Sequence, residues 1–511
     1  MGSMASEPMI RKERLPVIPQ PARVEWLGGE LPSRLLEEVI CDVPDADVQA
    51  LAAVIREALA DQAGGPGRLP VRVERASTPA PEGYSLRIDG GGARMRGSIE
   101  GLRHAWASLG QLLDAGDTLP HVLISDAPAF PHRGVMLDVS RHFMPTPDVL
   151  AFIAELARLK FNVFHWHLTD DQGWRIELPR FPALTGVGAW RPGTLIGHAD
   201  APGPPAYEAR PHGGFYTQSE IREVVAFAAG LGITVIPEID LPGHSSAALA
   251  AYPQYSCHCR PGDVWQGWGV RDHVFCTRDE SLDFLEQVLD EVLPLFPSPL
   301  IHLGGDEVPT THWEDCPDCQ AVMAREGLQD VEELHRYVMA RLARFLQSRG
   351  RRLAAWDEIT DTPPVPAGTL VLSWRGTEGG VLAARAGFET VMCPASHVYL
   401  DHYQADPAGE PLAIGGLSTL ETVYSFRPVP PELEPRHRGR VLGGQANLWR
   451  EYMPDTAHVQ YMAFPRLHAL AEVLWSPQEG LDFADFHARL GRQLPALTRR
   501  GVRFRPLDRP G

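Results

Sequence analysis

The chain has no uninterrupted apolar run approaching the roughly 20 residues of a membrane helix, so no membrane partner is expected. It has no basic excess: 47 Lys and Arg stand against 65 Asp and Glu, a formal net charge of -18. Such a surface repels nucleic-acid phosphates, so no nucleic-acid partner is expected either. No glycine-rich phosphate fingerprint accompanies its strands, which weakens a doubly wound nucleotide-binding reading. No secretory signal follows Met1-Gly2-Ser3-Met4, which reads as expression-derived residues ahead of a second start site. The compartment is therefore unknown: cytoplasmic, or secreted with the signal absent from this chain. What is present is globular composition, 44% hydrophobic over 511 residues, enough for a large core and two domains.

Cysteine is scarce but clustered. Five of the seven are Cys257, Cys259, Cys276, Cys316 and Cys319. Cys316-Pro317-Asp318-Cys319 has the spacing of a structural zinc or redox pair, and Cys257-His258-Cys259 could complete a zinc site. A disulfide in an oxidising compartment and free, unrelated thiols are the other readings.

Residues 1–15 read as a flexible start, and 16–130 as an α+β support domain. Strands are expected at 69–73, 84–88 and 93–97, with a Gly90-Gly91-Gly92 turn and helices near 47–61 and 99–114. No reactive constellation stands out there. Asp126 to Pro131 reads as a linker.

From residue 131 to 511 the rhythm changes. Strand candidates 134–139, 161–167, 233–238, 300–307, 352–356, 369–374, 389–393 and 440–446 alternate with helices near 148–159, 219–229, 280–292 and 328–348. This predicts a closed (β/α)8 TIM barrel, including a C-terminal helical region. The strand ends carry the polar and aromatic residues. They supply Arg141; Asp170 and Asp171; Glu238, Asp240 and His244; Asp306 and Glu307; then Trp356, Trp374, Tyr399, Asp401, Trp449 and Glu451. Barrel closure gathers such positions at one mouth, where indoles wall a sugar ring and charged groups read its hydroxyls. The adjacent carboxylates Asp306-Glu307, after an apolar run and two glycines, suit one proton donor and one charged orienting group.

These stretches resemble family 20 glycoside hydrolases, the β-N-acetylhexosaminidases. The matching segments are His132-Arg133-Gly134 through Ser140-Arg141-His142-Phe143, Asn162 through Asp171, Glu238-Ile239-Asp240-Leu241-Pro242-Gly243-His244, His302 through Val308, and Gln445 through Tyr452. The resemblance covers the barrel and extends to the small N-terminal domain. Gln445, where an acidic residue is common, and the clustered cysteines depart from many relatives.

The resemblance implies retaining, substrate-assisted removal of terminal β-linked N-acetylglucosamine, with N-acetylgalactosamine a further candidate. The 2-acetamido oxygen acts as nucleophile, an exception to the two-carboxylate scheme. It implies Glu307 as general acid and base, Asp306 as the group orienting the acetamide and stabilising cationic charge, and Tyr399 as donor to the acetamido oxygen. Arg141, Asp401 and Glu451 would bind hydroxyls. Trp356, Trp374 and Trp449 would enclose the acetamide and the apolar ring face. Asp170 and His244 would support the acidic pair. No cofactor and no catalytic metal are implied. The expected partner is an oligosaccharide or glycoconjugate, and the chain a monomer or homodimer. Three rivals stand beside this: a metal hydrolase built on His165-x-His167, a non-catalytic carbohydrate-binding protein, and a glycosidase with a protein nucleophile.

Overall fold

The computed structural model describes residues 14–41, 44–60 and 68–508. The expected flexible start lies outside them up to residue 13. Among the described residues, no helix is long and apolar enough to cross a membrane. The described residues divide into two compact units, those within 14–127 together with 482–500, and those within 128–481 together with 501–508.

The first unit holds a six-stranded sheet of β1 (Arg23–Pro32), β2 (Leu36–Ile40), β3 (Leu69–Arg75), β4 (Tyr84–Asp89), β5 (Gly92–Gly97) and β6 (Thr118–Asp126), in the order β1-β6-β4-β5-β3-β2. Helices α1 (Ala46–Ala60) and α2 (Ile99–Ala115) belong to it. The Ser98 hydroxyl accepts from Gly101 N–H and caps α2, whose Leu102, Ala105, Leu109 and Leu112 are buried. β1, β2 and β6 were not anticipated. β1 is mostly exposed and slips register between Trp26 and Glu30, so it lacks the alternation that announces a strand.

The second unit is built on eight parallel strands closed in chain order: β7 (His132–Asp138), β8 (Val163–His167), β9 (Thr234–Leu241), β10 (Leu300–Gly304), β11 (Arg352–Trp356), β12 (Leu370–Ser373), β13 (Glu389–Met392) and β14 (Val441–Leu448). This is the expected barrel. β14 closes on β7 with Gly443 opposite His132 and Leu448 opposite Leu137. All seven residues of β7 are buried, as strands covered on both faces require. The helices following β7, β8, β9 and β10 in sequence include, in that order, α3 (Thr146–Arg158), α4 (Gln218–Gly230), α5 (Asp279–Val292) and α6 (Val331–Ser348). The register sets Asp138 beside His167, His167 beside Glu238, and Glu238 beside His302, one polar row at the carboxyl ends.

One expectation is corrected. The last long helix, α7 (Phe483–Arg499), was assigned to the barrel region but belongs to the first unit. Its apolar stripe of Phe486, Leu490 and Leu497 is buried, and Arg489 donates to the Val17 carbonyl at 2.8 Å. Position in sequence suggested the barrel; burial of this stripe decides otherwise.

Candidate active site

The turn after β7 is organised by the buried Asp138 carboxylate. It accepts from the backbone N–H groups of Ser140 at 2.8 Å, Arg141 at 3.0 Å and Arg450 at 3.0 Å. Two segments, one after β7 and one after β14, are thereby fixed to one anchor. Arg141 Nη2 then reaches Asp170 at 2.9 Å, its Nε donates to Gln172 at 3.1 Å, and its guanidinium lies 5.0 Å from the Trp449 ring centre.

The end of β10 turns by a different device. Gly304 and Gly305 both have positive φ, 65° and 87°. A Cβ at Gly304 would overlap the Asp240 carboxylate, so glycine is required for both conformation and space. Glu307 follows at φ 48°, and His244 after β9 sits at φ 47°. Each costs roughly 1–3 kcal/mol as a non-glycine residue in this region. The result sets the His244 ring between the carboxylates, with Nε2 3.6 Å from Glu307 and 3.9 Å from Asp306.

Beneath the opening lies a buried chain of charge. Glu238 contacts His165 at 3.1 Å, His167 at 2.5 Å and His302 at 2.9 Å, and accepts from Trp356 Nε1 at 2.9 Å. His167 bridges onward to Asp170 at 2.7 Å, and Asp170 meets His244 Nδ1 at 3.1 Å. Burial disfavours charge on His167, but Glu238 and Asp170 outweigh it and raise its pKa well above the ordinary value. Burial likewise opposes charge on His244; Asp170 and Asp240 overcome it and hold the ring protonated. His165 is pushed down to about 4 by burial. The imidazoles of the His165-x-His167 pair are thus both engaged with Glu238.

Above this network is a cavity of about 310 Å³. It brings together all eleven anticipated residues: Arg141, Asp170, His244, Asp306, Glu307, Trp356, Trp374, Tyr399, Asp401, Trp449 and Glu451. Every one of the eight strands contributes through its carboxyl end or the segment after it. Trp374 and Tyr399 stack with ring centres 6.0 Å apart, and Trp356 and Trp449 lie 5.9 Å apart at 49°. Four carboxylate oxygens on this lining, Asp240 Oδ1, Asp306 Oδ1, Asp401 Oδ1 and Glu451 Oε2, are buried without a hydrogen-bond partner among the described residues.

The two adjacent carboxylates differ electrostatically. Burial pushes Asp306 up to about 6, against the pull of His244. The His244 contact holds Glu307 below its ordinary value despite partial burial, and its side chain is 40% exposed. The lining also includes Asp240, Ala395, His402 and Ile414-Gly415-Gly416, which were not assigned to the site. Glu358 was missed too. It accepts from Trp374 Nε1 at 3.1 Å and is pushed up to about 8 by burial, with Asp306 and Asp357 adding to the rise. Its signal was available: Asp357-Glu358 follows Trp356 at a strand end, much as Asp306-Glu307 follows β10. Gln445 points elsewhere, into the barrel interior, where its side-chain amide contacts His165 at 3.1 Å and Asn447 at 3.1 Å.

With this geometry in view, comparison with known proteins is decisive. The description "Glycosyl hydrolase family 20, catalytic domain" matches residues 130–478, and "Glycosyl hydrolase family 20, domain 2" matches residues 14–127. The chain belongs to glycosyl hydrolase family 20. It is similar to the beta-hexosaminidase of Porphyromonas gingivalis, 43% identical over 86% of this chain. It spans 57% of that relative's length. The beta-hexosaminidase of Vibrio furnissii is 39% identical over 89% of this chain and 76% of its own. Among solved structures, the family 20 exo-β-N-acetylglucosaminidase of Vibrio harveyi, in complex with N-acetylglucosamine, superposes with a TM-score of 0.83 at 33% identity. That match covers 96% of this chain and 78% of the Vibrio one. As a family 20 member the chain is a glycoside hydrolase, and its eight-stranded barrel with a preceding small domain agrees with that membership.

Proposed function

We propose that this glycoside hydrolase is a retaining exo-β-N-acetylhexosaminidase. It removes terminal β-linked N-acetylglucosamine from oligosaccharides or glycoconjugates, and N-acetylgalactosamine where the same contacts reach an axial O4. The observation that carries the reading is the set of unpartnered carboxylate oxygens, those of Asp306, Asp401 and Glu451 among them, on the lining of a small, indole-walled cavity. A buried acceptor without a donor costs about 1–3 kcal/mol. A sugar supplies donors: hydroxyls to Asp401 and Glu451, and an acetamide N–H to Asp306. A cavity of about 310 Å³ is at the small end of ligand pockets and suits one terminal residue.

In this reading Tyr399 donates to the acetamido oxygen, which attacks the anomeric carbon. Asp306, ionised, holds the acetamide N–H and balances the charge of the oxazolinium-like intermediate. Of the adjacent pair only Asp306 has a raised pKa, which on that basis would make it the acid. Position argues the reverse. Asp306 is buried in the cavity wall, whereas Glu307 is the more exposed of the two and stands where a leaving oxygen can be met. The proton Glu307 lacks in the open site resides on neighbouring His244. Passing it to Glu307 as substrate excludes water gives the acid for the first step; the resulting carboxylate is the base for the second. Asp170 joins this chain to Arg141 and couples sugar binding to the proton store.

Matched aryl β-N-acetylglucosaminide, β-N-acetylgalactosaminide and β-glucoside test the proposal. The acetamido sugars should turn over, with the glucoside slower by roughly 10³-fold or more for want of its internal nucleophile. Equal rates on the glucoside would refute the role of the acetamido group.

A further inference from the structure

Away from the cavity, four sulfurs from distant parts of the sequence converge. Cys257, Cys276, Cys316 and Cys319 are all buried, and each Sγ lies within 4.8 Å of the other three. The closest separations are 3.7 Å for Cys257–Cys319, 3.7 Å for Cys276–Cys319 and 3.9 Å for Cys276–Cys316. Four sulfurs around a tetrahedral ion at about 2.3 Å stand ~3.8 Å apart along each edge. These three separations match a tetrahedron's edges. Paired disulfides would instead draw two couples to about 2.05 Å and leave no common centre.

The surroundings are those of a closed structural site. Val274, Trp313, Val322, Met323 and Leu334 pack around the sulfurs. Cys316 is the residue before the helix Pro317–Glu326, and Cys319 lies in its first turn, where the helix dipole favours anionic sulfur. Arg278 places Nη1 3.9 Å from Cys276 Sγ and 2.7 Å from Asp318. Its charge offsets part of the excess negative charge that four thiolates bring to a divalent ion. Cys259, the fifth member of the anticipated cluster, is not brought in. His258 and Cys259 take φ of 60° and 48°, and the Cys259 side chain turns outwards to an exposed position beside Arg278.

We propose that Cys257, Cys276, Cys316 and Cys319 bind one structural zinc ion as four thiolates, each thiol releasing its proton to solvent on binding. Zinc fits because four buried sulfurs, all within 4.8 Å of one another, supply the complete ligand set of a closed tetrahedral site. Its place in the fold gives it a purpose. Cys257 and Cys276 lie between β9 and α5, the segment that carries His244. Cys316 and Cys319 lie between β10 and α6, the segment that carries Asp306 and Glu307. The ion is a clasp between two long barrel loops whose other ends meet at the His244–Glu307 contact.

Elemental analysis of the untagged full chain, purified without chelator, should find about one zinc per chain, and its zinc K-edge absorption should show a pure sulfur shell of four at about 2.3 Å. Cys316→Ser and Cys319→Ser should lose the metal and lower Tm, whereas Cys259→Ser should retain both. Metal-free protein, two disulfides by intact mass, iron in place of zinc, or a nitrogen and oxygen shell would each overturn the proposal. Unchanged zinc content in Cys316→Ser would do the same. Should the serine variants fail to fold, the absorption spectrum of the unaltered protein decides alone.

Discussion

Glu307→Gln is expected to lower turnover of N-acetylglucosaminides with poor leaving groups by roughly 10²–10⁴-fold, the range for losing general acid–base assistance. The substitution keeps size and one acceptor but cannot give up a proton. An alkoxide leaving group needs that proton; a dinitrophenolate does not. The first step should therefore be nearly spared for the activated substrate. The second step still lacks its base, so the activated substrate should show a burst followed by slow turnover. Azide, a nucleophile that needs no base, should restore that turnover and yield the β-glycosyl azide. Rates and burst amplitudes across leaving groups of graded pKa check this. Unchanged rates and pH dependence on every substrate would remove Glu307 from the mechanism.

Asp306→Asn should behave differently. Its loss falls on the cationic intermediate rather than on the leaving group, so roughly 10²–10³-fold is lost even with the activated aryl substrate. Its pH signature is separate as well. Burial raises Asp306 to about 6, so below that pH the carboxyl is neutral and cannot balance the oxazolinium charge. The rate constant kcat/KM, which reports the free enzyme, should rise as pH increases through about 6. Asparagine has no proton to lose there, and this limb should vanish from the Asp306→Asn profile. A limb that survives the substitution belongs to another group.

Much of the site was legible because the barrel places chemistry at strand ends, and strand ends are visible as breaks in apolar runs. Arg141, Asp306 and Trp449 each follow such a run, and closure of the sheet makes them neighbours. The Gly304-Gly305 pair even signalled the turn that presents Glu307. What was not legible belongs to irregular chain. Ile414-Gly415-Gly416 lies in a segment without helix or strand and reaches the cavity through a fold-back that no periodicity records. Glu358 was passed over although its sequence setting resembled that of Glu307. α7 shows another limit: amphipathic spacing reveals that a helix buries one face, not which unit receives it. The cysteines show the same limit in miniature. Cys257 and Cys259 are two positions apart, yet left-handed backbone at His258 and Cys259 sends one sulfur inwards and the other to the surface.

The internal nucleophile is tested most directly by weakening it within the substrate. Aryl β-glucosaminides bearing acetamido, fluoroacetamido, difluoroacetamido and trifluoroacetamido groups share one leaving group and nearly one shape, while the basicity of the carbonyl oxygen falls along the series. If that oxygen attacks the anomeric carbon, kcat/KM should fall by roughly tenfold per fluorine, about 1.4 kcal/mol added to the barrier at each step. Rates that stay level along the series, together with a sugar–protein ester trapped by mass spectrometry, would contradict substrate assistance and assign the attack to a protein carboxylate.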